Sequence, residues 1–235
     1  MGQALIDPAT RPPLDPPSWW NRFTVGAFRA LGAPAIRALF RVRVENPPRL
    51  DGPYVLAANH TSFLDPLLVG AACPRRITFL MTSVIYRGRA LGWFCRWNRA
   101  IPLLQRGGNR EALRAARHAL QRGEVVGIFP EGALARDGRL MLGNPGAVAL
   151  VYGEDVPVVP VGITGAYETM PPGRGRPRRV PVTIRFGAPL THAQLSPPDV
   201  GRKDRLVVAT TTLMRAIAEL SGQRAREDEL RAQRG

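Results

Sequence analysis

The sequence holds three histidines, so the search for a proton-accepting side chain is short. His118 lies in a helical pattern crowded by Arg114, Arg117 and Arg122, where a solvent-facing role is expected, and His192 is expected in a polar loop with no carboxylate near it in sequence. His60 stands apart, at the end of the apolar run 54–58 and within Asn59-His60-Thr61-Ser62-Phe63-Leu64-Asp65-Pro66. A carboxylate on one ring nitrogen fixes the tautomer of an imidazole and stabilises the charged ring that forms when the other nitrogen takes a proton. That is the chemistry of a general base acting on a hydroxyl. On one continuous helix, residues five apart turn their side chains away from each other, so the residues between His60 and Asp65 must form a turn that returns the carboxylate to the ring. Pro66 disfavours the helical region for Asp65 and suits the first position of a helix, which places Asp65 at an N-cap. A plainer reading, with Asp65 as a cap and His60 as a strand-end residue, fits the same spacing, so the pair alone is a weak signal.

Three further blocks give it company. An apolar run from Val125 leads into Phe129-Pro130-Glu131-Gly132, where proline sets the turn out of a strand and glycine allows a positive φ or a close approach of ligand to backbone. Glu131 is thus held at another strand end, although a surface-turn carboxylate is the plain alternative. The run Ile101-Pro102-Leu103-Leu104-Gln105-Arg106-Gly107-Gly108-Asn109 leaves a strand through a Gly-rich turn before a helix. Free amides there, with Arg106, suit a phosphate, and an ordinary capping turn is the competing reading. The run Val156-Pro157-Val158-Val159-Pro160-Val161-Gly162 has two prolines and is expected at a sheet edge or a bulge, its apolar surface serving an acyl channel or simple core packing.

These blocks need a scaffold, and the pattern from Val42 onward supplies one: short apolar runs alternating with helical stretches, the mark of an α/β fold with a mixed sheet flanked by helices. Strands are expected at 43–45, 54–58, 77–81, 101–104, 125–129, 156–163 and 182–186, and helices at 66–72, 89–97, 110–122, 145–152 and 203–220. The strand end is where ligands of such sheets bind. Before this layer, residues 1–17 read as a flexible leader and Ser18 as the cap of an amphipathic helical segment. Trp20, Phe23, Ala27 and Leu31 share one face, and Arg22 and Arg29 lie on the other. Gly32 and Pro34 are expected to kink or break it ahead of 35–40. The apolar face fits either a bilayer interface or the protein's own core. A Pro/Gly/Arg segment at 171–180, with Arg174, Arg176, Arg178 and Arg179, reads as a basic surface loop, and the charged tail after Gly222 as frayed. The expected division is 1–41 as leader and interface helices, 42–222 as one domain and 223–235 as tail.

Composition narrows the partners. Apolar residues make up 45% and charged residues 22%, a balance that excludes a disordered chain. The net charge of +15, with Lys203 the only lysine, favours an anionic partner: nucleic acid, an anionic lipid surface or a phosphorylated substrate. Most scattered arginines are read as solvated surface. No helix-turn-helix, RNP-like or zinc signature supports nucleic acid. Cys73 and Cys95 have no metal-ligand or disulfide spacing, so no metal and no cofactor is expected, and a reducing compartment is. The first residues lack the features of a secretory signal, and no apolar run reaches the length of a membrane span.

In order and spacing, the four blocks resemble the 1-acylglycerol-3-phosphate acyltransferase family of glycerolipid synthesis, over roughly 42–190, including Arg185-Phe186-Gly187-Ala188-Pro189-Leu190. The resemblance implies a glycerolipid acyltransferase-like fold with His60 and Asp65 as catalytic dyad, Arg106 on the acceptor phosphate, and Glu131 and Gly132 as the acceptor-binding pair. It implies an acyl-CoA or acyl-carrier-protein donor, a lysophospholipid acceptor, and peripheral or monotopic attachment at the cytoplasmic face of the plasma membrane through N-terminal helices. The activity implied is O-acyl transfer to 1-acyl-glycerol-3-phosphate, giving phosphatidic acid. The chain departs after Gly132, where Ala133 and Leu134 replace a small hydroxyl residue and an arginine, and Asn144 stands where a lysine is frequent. Arg136 or Arg139 then substitutes for the missing cations, or the acceptor differs, as a lyso-ornithine lipid or glycerol 3-phosphate. A basic nucleic-acid-binding protein is the reading from another class.

Overall fold

The computed structural model describes residues 15, 17–88, 92–104, 109–149, 156–197, 200–201 and 204–226. Its frame is a seven-stranded sheet of β1 (Arg43–Glu45), β2 (Tyr54–Ala58), β3 (Ile77–Thr82), β4 (Ile101–Leu103), β5 (Val125–Ile128), β6 (Val158–Thr164) and β7 (Thr183–Phe186), in the order β1-β7-β6-β2-β5-β3-β4. Neighbouring strands are parallel except β6 and β7, so the mixed sheet expected from the sequence is present.

Every residue of β2 is buried, and the strand's side chains divide between two cores because successive residues face opposite ways. Val55 and Ala57 join Val126, Ile128 and Val158 under the alanine stripe Ala112, Ala115, Ala116 and Ala119 of α6 (Arg110–Gln121) and under Leu213, Met214 and Ile217 of α10 (Arg205–Ser221). Tyr54, Leu56 and Ala58 face Leu68 and Val69 of α3 (Asp65–Ala72), with Phe40 and Ile36 beyond. At Gly162 a side chain is excluded outright: a Cβ there would lie 2.3 Å from the Leu220 backbone. Helix α10 therefore rests directly on β6.

The proline-bearing strand is interior, between β7 and β2. It tolerates Pro160 because the ladder shifts there. Val161 pairs with Phe186, whereas Val158 bridges Leu190, so one extra residue is taken up on the returning chain. Of the two places expected for this strand, edge or bulge, it takes the bulge.

The N-terminal segment also differs in detail. Helices α1 (Trp19–Ala27) and α2 (Ala33–Leu39) are joined by a π-helical stretch, Phe28–Gly32, so Gly32 and Pro34 widen the helix and do not break it. The wide turn, in which the Ala33 N–H reaches back to the Phe28 carbonyl, leaves room next to a proline that has no N–H to give. The helix expected over 89–97 is seen as α5 (Gly92–Trp97), preceded by an unforeseen α4 (Ser83–Arg87), and that expected over 145–152 as α7 (Pro145–Val148), with a short α8 (Ala166–Thr169) after β6. His192 opens α9 (His192–Leu195), capped reciprocally by Thr191 and Gln194, and does not lie in a loop.

Candidate active site

Strands β2 and β5 are parallel neighbours, so the residues that leave their ends arrive side by side. The turn after β2 places His60 Nδ1 2.9 Å from Asp65 Oδ2. The same carboxylate oxygen accepts from the backbone N–H groups of Thr61 (2.7 Å) and Ser62 (2.8 Å), and Asp65 is wholly buried. Three donors converging on one oxygen fold the chain back over five residues, which is the turn the spacing demanded. Asp65 occupies the first position of α3 and is not its N-cap. Leu64 holds that place, and the carboxylate serves the preceding turn instead of the helix N–H groups. Among the described residues its Oδ1 is buried without a partner, so the binding falls on the oxygen that meets the ring.

The ring is fixed by stacking as well. Phe129, at the end of β5, lies nearly parallel to His60 with ring centroids 4.1 Å apart, and Phe79 of β3 stacks on Phe129 in turn at 5.8 Å. With Nδ1 engaged, Nε2 is the nitrogen left for chemistry. It has no hydrogen-bond partner among the described residues, and the side chain is 14% exposed, enough for an alcohol to reach it.

Glu131 takes a position the sequence did not foretell. One carboxylate oxygen accepts the backbone N–H of His60 at 2.6 Å and the other the N–H of Met141 at 2.8 Å. Both oxygens are therefore on backbone. With only 7% exposure, burial pushes its pKa up to about 7, against the pull of the Met141 and His60 N–H groups, while the nearby Asp65 charge pushes the same way as burial. The His60 carbonyl accepts in turn from Ala135 N–H at 2.8 Å, so His60 is held through its backbone from both sides.

Asn59 adds a further tie, with its amide bonded in both directions to the Ile163 backbone at 2.7 and 2.9 Å, locking the β2 end to the β6 end. Ser62 Oγ donates to the Met170 carbonyl at 2.9 Å and accepts from Leu64 N–H. These supports were missed at the sequence level because ordinary Asn and Ser residues carry no spacing signal of their own.

Of the expected binding residues, Gly132 sits in the same turn with φ +72, a conformation that suits glycine, and is exposed. Arg136 is exposed at the same edge, one residue beyond Ala135, and its carbonyl accepts from the Tyr167 hydroxyl. Arg106 lies outside the described residues, as do Gln105, Gly107 and Gly108. Asn109, which follows them, bonds through its amide to both backbone groups of Leu104.

The N-terminal helix shows its character by what it leaves uncovered. Val25 and Ala33 are buried, with Phe28 and Ile36 partly so, whereas Trp19 (76% exposed), Trp20, Phe23, Leu31 (76% exposed) and Leu39 face outward. The face singled out from the sequence thus points away from the protein, and a second apolar stripe packs inward. Among the described residues no helix is long and apolar enough to cross a membrane.

A family model described as Acyltransferase matches residues 40–164. Chloroplastic 1-acyl-sn-glycerol-3-phosphate acyltransferases of Brassica napus and Arabidopsis thaliana are each 30% identical to the chain over 132 residues, which is 55% of it. The chain spans only 38% and 37% of the length of those two relatives. The 1-acyl-sn-glycerol-3-phosphate acyltransferase of Bacillus subtilis is 25% identical over 185 residues, 77% of this chain and 89% of that protein. The crystal structure of the 1-acyl-sn-glycerophosphate acyltransferase of Thermotoga maritima superposes with a TM-score of 0.64 over 87% of this chain and 83% of that one, at 22% identity, which speaks to the fold.

Proposed function

The chain belongs to the acyltransferase family, and we propose that it moves a fatty acyl group from a thioester, acyl-CoA or acyl-carrier protein, to the hydroxyl of a lysophospholipid. The acceptor read here is 1-acyl-glycerol-3-phosphate and the product phosphatidic acid. The observation that carries this reading is the imidazole at 2.9 Å from a buried aspartate at a parallel-strand end, its second nitrogen without a partner among the described residues and its side chain 14% exposed.

In the proposed reaction His60 Nε2 takes the proton of the acceptor hydroxyl as that oxygen attacks the thioester carbonyl. Asp65 stabilises the imidazolium. The tetrahedral intermediate collapses, the C–S bond breaks as the C–O ester bond is kept, and the imidazolium returns the proton to the departing thiolate. No covalent enzyme intermediate is required. Glu131, with both oxygens on backbone N–H groups, acts as a positioning residue for His60 in this scheme and does not contact the acceptor.

Arg136 is the cation assigned to the acceptor phosphate, supported by its exposure and by its place next to the Ala135–His60 backbone bond. The outward row Trp19, Trp20, Phe23, Leu31 and Leu39 supports a helix lying in a bilayer interface, where a lysophospholipid is found. The relatives named above as 1-acyl-sn-glycerol-3-phosphate acyltransferases support the acceptor class.

The test is acyl transfer by the purified protein from labelled acyl-CoA to a panel of 1-acyl-glycerol-3-phosphate, lyso-ornithine lipid and glycerol 3-phosphate in detergent micelles. Turnover fastest on the first acceptor supports the reading, and preference for another of the three replaces it. Absence of transfer to all of them overturns it.

A further inference from the structure

Four arginines between residues 174 and 179 have no part in the reaction described above, yet the topology brings them to its doorstep. Strand β6 runs parallel to β2 and ends at the same sheet edge as His60, and β7 returns antiparallel with Thr183 opposite Thr164. Residues 165–182 must therefore cross the edge from which the catalytic turn emerges. The crossing is anchored: Ser62 Oγ donates to the Met170 carbonyl at 2.9 Å, and Arg178 N–H donates to the Thr169 carbonyl at 2.7 Å. Arg179 Nε reaches the Leu39 carbonyl at the end of α2 at 3.3 Å. The backbone is tied down while the guanidinium groups of Arg176 and Arg178 stay exposed, without a partner among the described residues.

None of Arg174, Arg176, Arg178 and Arg179 forms an ion pair among the described residues. From 169 to 182 the chain has no acidic residue. Such a run of like charges repels itself unless an anion is brought to it. The side chains beside it indicate which anion. Leu39, whose carbonyl Arg179 holds, is 49% exposed, and Phe63, in the catalytic turn next to Ser62, is 41% exposed. Exposed apolar side chains flanked by arginines suit a surface that is hydrocarbon within and phosphate at its rim. The row on the N-terminal helix ends at the same Leu39, so the two surfaces are continuous.

We propose that the 174–179 arginine segment is a second, electrostatic contact with an anionic bilayer, seating the catalytic edge against lipid phosphates beside Leu39 and Phe63. It rests on the interfacial reading of the helix but adds to it a separate determinant. The helix supplies chiefly apolar insertion. The arginines supply selectivity for anionic lipid and sensitivity to salt.

The full chain is sedimented with vesicles of phosphatidylcholine alone and with vesicles that also contain phosphatidylglycerol, at low and high salt. The double variant R176Q/R178Q alters two exposed side chains that have no partner among the described residues, so its melting temperature is expected to match the parent. It should lose about tenfold or more in partition onto the anionic vesicles at low salt, and keep its binding to phosphatidylcholine. The charge-preserving R176K/R178K variant should retain the anionic preference. Equal binding of the double Gln variant and the parent to anionic vesicles overturns the proposal, and so does an equal loss on both vesicle types. Unchanged vesicle binding with a raised KM for glycerol 3-phosphate, or with loss only when an acyl-carrier protein is the donor, reassigns these arginines to acceptor or donor and overturns it equally. Acyl transfer in uncharged micelles should be the same for parent and variant. An inactive parent would sink the enzymatic reading while leaving the vesicle result intact.

Discussion

The turn 59–65 and the helical segment 19–39 contrast two ways of using the same polypeptide. The turn ties down its polar side chains: Asn59, His60, Ser62 and Asp65 each hold a partner, with Asp65 Oδ1 and His60 Nε2 left over among the described residues, and both Glu131 oxygens accept backbone N–H groups. The helix does the reverse with its apolar atoms, leaving Trp19, Trp20, Phe23, Leu31 and Leu39 in solvent. A closed polar network fixes one imidazole to within the fraction of an ångström that proton transfer needs, since a loosely held base spends its time in unreactive poses. An open apolar row fixes nothing by itself and gains its stability from something outside the chain. Substitutions in the first region should therefore alter turnover, and substitutions in the second should alter where the protein sits.

The largest expected effect lies at the centre of the turn. His60→Ala should lower kcat about a thousandfold or more, and Asp65→Asn about a hundredfold, with little change in melting temperature for the first. Asp65→Asn presents an amide N–H₂ or a neutral oxygen to three donors, so circular dichroism must accompany the assay. Substantial turnover by His60→Ala in micelles would break the contrast at its strongest point.

Glu131→Gln tests whether the polar network positions the base or binds the acceptor. One amide oxygen cannot accept from both the His60 and Met141 N–H groups, so an N–H₂ is forced against a donor. The expectation is a fall in kcat of about tenfold to a hundredfold with KM for the acceptor unchanged, whereas an acceptor contact would raise KM. The pH dependence of stability gives an independent reading. The carboxyl titrates at about 7 in the folded protein against 4.5 as its ordinary value, so the folded state binds the proton more tightly. The contribution of Glu131 is fully present below pH 4.5 and is lost as pH rises through 7. The stability of Glu131→Gln relative to the parent should thus improve by about 3 kcal/mol between those limits, which urea unfolding at several pH values can measure. A flat difference would mean that the carboxyl is not held in the dry setting described here.

How much of this was legible follows the same division. The sheet and its mixed character could be read from apolar runs bounded by turn residues, and the His60–Asp65 turn from a spacing that was weak alone and gained weight from the blocks around it. Glu131 could be found but not understood: its position at a strand end is local, whereas the N–H of His60 belongs to the turn after a neighbouring strand, and sequence does not print which strands are neighbours. Asn59 and Phe129 were passed over for that reason too, since their partners Ile163 and His60 are contacts across the sheet. The N-terminal helix was half legible. Its periodicity gave the row Trp20, Phe23, Ala27 and Leu31, but a moment says only that two faces differ, and the structure was needed to show that Val25, Phe28, Ala33 and Ile36 form the inward one.

On the helix side of the comparison, the variant W19S/W20S/F23S removes outward rings that touch little of the protein. Partition onto phosphatidylcholine vesicles should drop by at least an order of magnitude, since interfacial binding scales with the apolar area inserted, and kcat in micelles should stay within about twofold. A collapse of micellar turnover would mean that this row also shapes the site, erasing the separation of roles. Retained vesicle binding would remove the helix as the apolar anchor.

The smallest expected effect refines the boundary between the two regions, at Gly132. Its φ of +72 places it in the left-handed region, while the nearest atom to an added Cβ, Asn144 Nδ2 at 3.4 Å, is at ordinary contact distance. Gly132→Ala therefore meets a backbone cost of about 1 kcal/mol and no clash, which should lower the melting temperature by about 2–4 °C. A glycine needed only for the turn predicts kcat and KM close to the parent once the protein is folded. A glycine needed so that acceptor atoms can approach the exposed backbone predicts a rise in acceptor KM well beyond what the small stability loss explains. Because Glu131 next door is expected to change kcat alone, the two neighbours should separate cleanly. The carboxylate would then belong to the closed network around His60, and the glycine to the open side where substrate enters.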